Sequence, residues 1–303
     1  MRRVKKRRKI YDIRVWPTWL VVGLAWLVAR LPLPVVRILA SALGRLLYAL
    51  GRSRRHITLT NLRLCFPEWT DTQREALARA SFVHTAWGAL ETMIVWLNPK
   101  RDIRARLSVE GIEHLERARA QGRGVILLGG HFSVIDIMGP AMAPLDIDVV
   151  YAENRNPAWE WLQVRGRSRF FEGVIERANT RAMLRRLKSG RTFWYAADQD
   201  YGRRRSVFAP FFGIPTASIR ATAQLARFNA SPVLLINTWR DARSLTWHAR
   251  INPPLTGYPT GNDVADAAAI NRVIEAAIRE HPEQYLWMHR RFKTRPEGEP
   301  SFY

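Results

Sequence analysis

Gly124-Val-Ile-Leu-Leu-Gly-Gly-His131-Phe-Ser-Val-Ile-Asp136 decides how the rest of this chain is read. Val125 to Leu128 is a short apolar run of the kind that forms a buried strand, and two glycines break it immediately before a histidine. Of the seven histidines, only His131 has an acidic residue five positions on. A base at a strand end, oriented by a carboxylate, is what a hydroxyl needs before it can attack a carbonyl. Positions i and i+5 do not share a helix face. The pair therefore meets only if His131 lies on the turn and Asp136 in the first turn of a helix, with Ser133 as its N-cap and Met138 still inside it. The same residues also read as a plain capping box, Ser133-x-x-Asp136, indifferent to what stands at 131. On sequence alone both readings stand.

Working outward, short apolar runs alternate with amphipathic stretches. Strands are expected at 107–109, 125–128, 147–151, 192–197, 233–237 and 245–251. Helices are expected at 112–120, 134–142, 159–165, 180–187, 218–228 and 264–280. Upstream, 56–64 and 70–97 read as helical, with Thr70 or Asp71 as cap and Asn98-Pro99 as stop. This alternation argues for an α/β fold, a mixed sheet flanked by helices. Open sheets of that class place their sites at the carboxyl ends of strands, where His131 falls. No Gly-x-Ser-x-Gly elbow, P-loop or dinucleotide glycine fingerprint is present.

Charge narrows the partner. The 303 residues carry 48 Lys and Arg against 26 Asp and Glu, a net +22, which calls for an anionic surface or substrate. No recognition-helix, zinc-finger or RNA-binding signature accompanies that charge, which turns the reading away from nucleic acid. A single cysteine, Cys65, leaves no internal disulfide and no multi-cysteine zinc site.

The first fifth of the chain reads as a membrane attachment. A basic cluster at 2–9 precedes an uncharged segment, Trp16 to Ala29, with Trp16, Trp19 and Trp26 placed as headgroup-level aromatics. Fourteen residues fall short of the roughly 20 that span a bilayer. Extension to Val36 reaches that length but takes in Arg30, Pro32 and Pro34, so spanning and monotopic attachment both stay open. From Val35 to Leu50 the apolar spacing is that of an amphipathic surface helix. A secretory signal fits less well, because Ala40-Ser-Ala42 lies beyond two prolines and Arg37. The expected division is a basic, membrane-anchoring part over 1–50 and a catalytic domain over 51–303.

Two further segments look chemical. Arg165, Arg167 and Arg169 stand at alternate positions, facing one side if the segment is extended and diverging if it is helical. Trp194-Tyr-Ala-Ala-Asp198-Gln-Asp200-Tyr-Gly carries two carboxylates just ahead of Arg203, Arg204 and Arg205. That arrangement suggests an ion-pair network, with an oxygen-ligand metal site as the poorer alternative.

Four motifs taken together resemble one family. They are His131-x4-Asp136 after a glycine-ended strand; Asn61 with Cys65-Phe-Pro-Glu68; Trp194-Tyr-x-x-Asp198-x-Asp200-Tyr-Gly; and Tyr285-x-Trp-x-His289-Arg-Arg-Phe-Lys-Thr-Arg-Pro-Glu-Gly298. From about Trp16 onward the chain is similar to the late acyltransferases of lipid A biosynthesis, the lauroyl and myristoyl transferases of Gram-negative inner membranes. Many members carry Glu where Asp136 stands. The resemblance implies a glycerolipid-acyltransferase-like fold and an acyl-carrier-protein thioester as donor co-substrate, with no cofactor or metal. It implies as acceptor an anionic, Kdo-bearing lipid A precursor, acylated on a free 3-hydroxyl of a chain already attached. It further implies His131 as general base, Asp136 as its orienter, and Arg167 and Asp198 as substrate-positioning residues. The expected location is the inner membrane, with the site on its cytoplasmic side. A histidine-x4-aspartate acyltransferase of another glycolipid or of a lysophospholipid is the alternative.

Overall fold

The computed structural model describes residues 10–303, and the basic cluster at 2–9 lies outside the described residues. Four helices come first: α1 (Trp16–Val28), α2 (Leu33–Leu50), α3 (Arg52–Cys65) and α4 (Asp71–Leu97). Thr70 caps α4 in a full capping box with Gln73, and Asn98 ends it. Then follow β1 (Leu107–Glu110), α5 (Ile112–Arg119), β2 (Val125–Gly129), α6 (Gly139–Met142), β3 (Ile147–Tyr151), α7 (Pro157–Arg167) and β4 (Val174–Glu176). The rest is α8 (Thr180–Lys188), β5 (Thr192–Ala196), β6 (Ser206–Phe211), β7 (Ile214–Ile219), α9 (Ala221–Asn229), β8 (Val233–Asp241), β9 (Thr246–Pro254) and α10 (Asp263–Glu280).

Seven strands make one mixed sheet in the order β1-β9-β8-β2-β5-β3-β4; β6 and β7 form a separate hairpin. All neighbours in the large sheet are parallel except β8 and β9. This is the expected α/β architecture, with the sheet buried on both faces as parallel sheets require. β2 is buried along its whole length. Its period-2 alternation sends Ile126 and Leu128 into one core and Val125 and Leu127 into the other. The first core lies against α3, α8, α9 and α10; the second receives α1, α2 and α4.

Three strands were not anticipated. β4 has only three residues, and β6 and β7 turn through Phe212 and Gly213, both with positive φ. That two-residue turn normally announces itself as Asn-Gly or Asp-Gly; Phe-Gly gives no such signal. As a consequence, the helix expected from Ser218 starts at Ala221, and Ser218 belongs to β7.

The helix expected over 134–142 is also replaced. The chain leaves β2 through a turn, makes a 3-10 turn at Asp136–Met138, and has only one α-helical turn, α6. Ser133 caps nothing: its N–H donates to the Gln284 carbonyl, and its buried hydroxyl has no hydrogen-bond partner. The capping-box reading of Ser133 and Asp136 is therefore wrong, because this loop is held by a distant segment rather than by a local helix.

Candidate active site

Strand register builds the site. Gly129 of β2 pairs with Ala196 of the adjacent parallel strand β5. His131 and Asp198 each lie two positions past that pair, so side chains 67 residues apart in sequence leave neighbouring strand ends together. His131 Nδ1 lies 2.5 Å from Asp198 Oδ1, and the His131 backbone N–H donates to Asp198 Oδ2 at 2.8 Å. Both carboxylate oxygens thus accept from His131. The geometry fixes the tautomer: Nδ1 carries the proton toward the carboxylate, and Nε2 keeps a free lone pair. Among the described residues Nε2 has no hydrogen-bond partner, and the ring lines a cleft of about 300 Å³.

Asp198 is fully buried, and burial alone would push its carboxyl up. The His131 ring, through its charge once it is protonated, the two hydrogen bonds that His131 donates and the Tyr285 hydroxyl outweigh that and hold it well below the usual carboxylate range. Such an anion is poised to stabilise an imidazolium.

Asp136 sits elsewhere in the same cleft. Its two oxygens accept from Arg167 Nε at 2.9 Å and Nη2 at 3.0 Å, a bidentate pair. The expected orienter of His131 is therefore replaced: Asp198 holds the imidazole, and Asp136 holds Arg167. Arg165 and Arg167 lie in the last turn of α7 and Arg169 in the turn that follows, so the three arginines diverge. Arg165 covers the Trp161 ring, Arg167 reaches Asp136, and Arg169 donates to the Trp96 carbonyl. Arg177, stacked over Tyr201 at 5.2 Å, adds a second cation to the cleft.

The expected ion-pair network around Asp198 and Asp200 takes a different form. Asp200 accepts from Thr294 through both N–H and hydroxyl, at 2.8 and 2.9 Å, and Lys293 donates to its carbonyl. Among the described residues no group of three or more His, Cys, Asp or Glu is placed to hold a metal ion.

The C-terminal motif acts as a brace. Phe132 and Tyr285 form an antiparallel bridge; Leu286 N–H donates to the His131 carbonyl and Ser133 N–H to that of Gln284. Asn61 of α3 anchors this brace through the carbonyls of Trp287 and His289, at 2.7 and 2.8 Å. From the other side α4 presses so close that a Cβ at Gly88 would stand 1.9 Å from the Ser133 carbonyl oxygen. One turn further, buried Glu91 grips Arg240 of β8 with both oxygens and accepts from Trp247 of β9. The brace's residues stand among the motifs of the resemblance with no local hint of what they hold, and the buried pair of Glu91 and Arg240 carries no local sequence signal.

Below the cleft runs a narrow apolar seam of about 40 Å³, between the sheet and the 3-10 turn and α6. It shares Ile135, Asp136 and Trp194 with the cleft and ends against Met142, Ile147 and Phe171.

An imidazole lining a cleft, cations beside it and an adjoining apolar seam suit transfer of a lipid chain. Comparison with known proteins agrees. Residues 3–294 match the model of the bacterial lipid A biosynthesis acyltransferases. The chain is 38% identical over 301 residues to the lipid A biosynthesis palmitoleoyltransferase of Escherichia coli, covering 99% of this chain and 98% of that protein. To the lauroyltransferase of the same organism it is 37% identical, covering 96% and 95%. To the myristoyltransferase it is 29% identical, covering 94% and 90%. On the extent of that match and on its fold, the chain belongs to the bacterial lipid A biosynthesis acyltransferases.

Proposed function

We propose that the protein transfers a fatty acyl chain from an acyl-carrier-protein thioester to a hydroxyl of a Kdo-bearing lipid A precursor, at the cytoplasmic face of the inner membrane. The hydrogen-bonded couple of His131 and Asp198 at the cleft mouth carries this reading. His131 Nε2 takes the proton of the acceptor hydroxyl as its oxygen attacks the thioester carbonyl. Asp198 stabilises the imidazolium that forms, and the tetrahedral intermediate collapses with loss of the carrier thiolate, which receives the proton. A C–O bond forms and a C–S bond breaks. Nothing is oxidised or reduced, and the step needs no metal.

Charge is arranged for such substrates. Arg167 and Arg177 face the cleft, where an anionic acceptor would lie, and +22 overall draws in an acidic carrier and an anionic leaflet. Arg167, held by Asp136, is the cation available to the developing oxyanion. The Ser133 N–H is not available for that task, being already bonded to Gln284. The apolar seam would take the acyl tail. Its free volume is only about 40 Å³, so the flexible Met138 and Met142 side chains in its lining would have to move aside for a tail to enter.

Purified protein given an acyl-carrier-protein thioester and a tetra-acylated, Kdo-bearing precursor should yield product heavier by one acyl group in mass spectrometry. His131→Ala should lower turnover by about 10²–10⁴ while the protein stays folded. Near-wild-type turnover by that variant would remove the proposed base. Transfer to a lysophospholipid and not to the precursor would reassign the acceptor.

A further inference from the structure

α1 and α2 carry a broad apolar surface that nothing among the described residues covers. Trp16, Leu20, Leu24 and Leu27 stand exposed on one face of α1, Leu20 by 72%. On α2, Val35, Leu39, Leu43, Leu46 and Leu50 recur at the same helical spacing, Leu50 also 72% exposed. By length and composition alone α2 would qualify as a membrane span. We propose that this helical pair instead seats the protein on the cytoplasmic leaflet of an anionic phospholipid bilayer without crossing it. The proposal rests on the membrane location given above and adds the mode of attachment.

The pair is riveted to the catalytic body at both ends of α1 and along α2. Near the start of α1, Asn156 Nδ2 donates to Thr18 Oγ1 at 2.6 Å. Just past its end, Asn98 and Arg101 donate to the carbonyls of Ala29 and Leu31, at 3.0 and 2.7 Å. A helix whose two ends bind the same folded body cannot have a bilayer between them. α1 has 13 residues and rises about 20 Å, against roughly 30 Å of hydrocarbon.

α2 is equally fixed. Val36, Ala40, Gly44 and Tyr48 are buried, and a Cβ at Gly44 would stand 2.4 Å from Val83 Cα of α4. Arg37 of α2 donates to the Ala242 carbonyl in the turn after β8. Leaving the body to span a membrane would break these contacts and expose that buried face.

Charge names the occupant. Cations flank the apolar face: Arg30 covers the Trp26 ring at 3.3 Å, and Arg45, Arg55 and Arg79 line a groove at the end of α2, with Glu75 its one acidic lining residue. Cations beside interfacial tryptophans are what lipid phosphates recruit. Topology agrees. A single span that kept the basic cluster at 2–9 on the cytoplasmic side would carry His131 to the opposite side, away from a cytoplasmic thioester donor.

The full chain, expressed in a Gram-negative inner membrane, provides the test. Tyr11→Cys, Arg30→Cys and Arg104→Cys report the region before α1, the turn after it and the catalytic body. A membrane-impermeant maleimide should label all three in inverted vesicles and none in intact spheroplasts. Labelling of positions 11 and 104 from opposite faces, or of position 30 only in spheroplasts, would overturn the non-crossing mode and leave the membrane location intact. Recovery of the chain in the soluble fraction would instead overturn the membrane location itself. In phosphatidylethanolamine–phosphatidylglycerol vesicles, a bimane on Leu24→Cys should be quenched by brominated acyl chains; no quenching would remove α1 from the bilayer.

Discussion

Asp198 and Asp136 are both carboxylates at one cleft, and their partners separate their tasks. Asp198 spends its oxygens on the His131 ring and backbone; Asp136 spends its own on Arg167. Asp198→Asn can present its NH2 to Nδ1 and so favour the wrong tautomer, with the proton on Nε2. Turnover should fall by about 10²–10⁴ with little change in KM. Asp136→Asn should mainly loosen Arg167, raising KM for the anionic acceptor with a smaller loss of kcat. Steady-state kinetics on both variants checks this, and the reverse ranking would return the orienting role to Asp136. At this scale the place of His131 at a strand end was legible, because a strand, two glycines and a histidine are contiguous in sequence. The resemblance marks Asp198 only for substrate positioning, and its grip on His131 was not legible, because which strands lie side by side is decided by packing over the whole sheet.

Among the elements, α4 carries the most responsibility. Gly88 lets it touch the His131 loop, and Glu91 locks it to β8 and β9 through Arg240 and Trp247. Glu91→Ala leaves Arg240 buried and uncompensated, and should cost about 3–5 kcal/mol in urea denaturation. Gly88→Ala forces a methyl group against the Ser133 carbonyl and should cost about 1–3 kcal/mol, with activity lost before the fold. A Gly88→Ala variant of unchanged activity would show that the loop tolerates displacement. Most strands and the long helices could be read from periodicity and caps. The β6–β7 hairpin was hidden by its Phe212-Gly213 turn, and the region after β2 was misread as a helix because its support comes from residues 284–286.

For the molecule as a whole, acid is the telling stress. His84, buried beside Arg240 and His281, is lowered to about 3, and burial together with nearby cations lowers His289 to about 4. Burial is the larger cause in each, and Arg240 donates to His84 Nδ1, which requires the neutral ring. Both groups bind protons more readily in the unfolded chain, whose histidines titrate near 6.5. Their contribution is therefore complete above about pH 6.5 and declines as pH falls toward 4 and 3. The slope is about 1.4 kcal/mol per pH unit for each histidine, so urea denaturation should show lower stability at pH 5 than at pH 7. His84→Gln should shrink that difference by about half; equal stability of the parent at the two pH values would contradict the assignment. Asp198 acts in the same pH sense: the fold favours its ionised form, so its contribution is present above the ordinary carboxylate range and is lost only in much stronger acid.

The brace from Tyr285 onward has a consequence for how the enzyme is made. Residues that clamp the base are translated long after the base itself, and α1 and α2 emerge from the ribosome before either. A growing chain can therefore dock on lipid while its reactive centre is still unassembled.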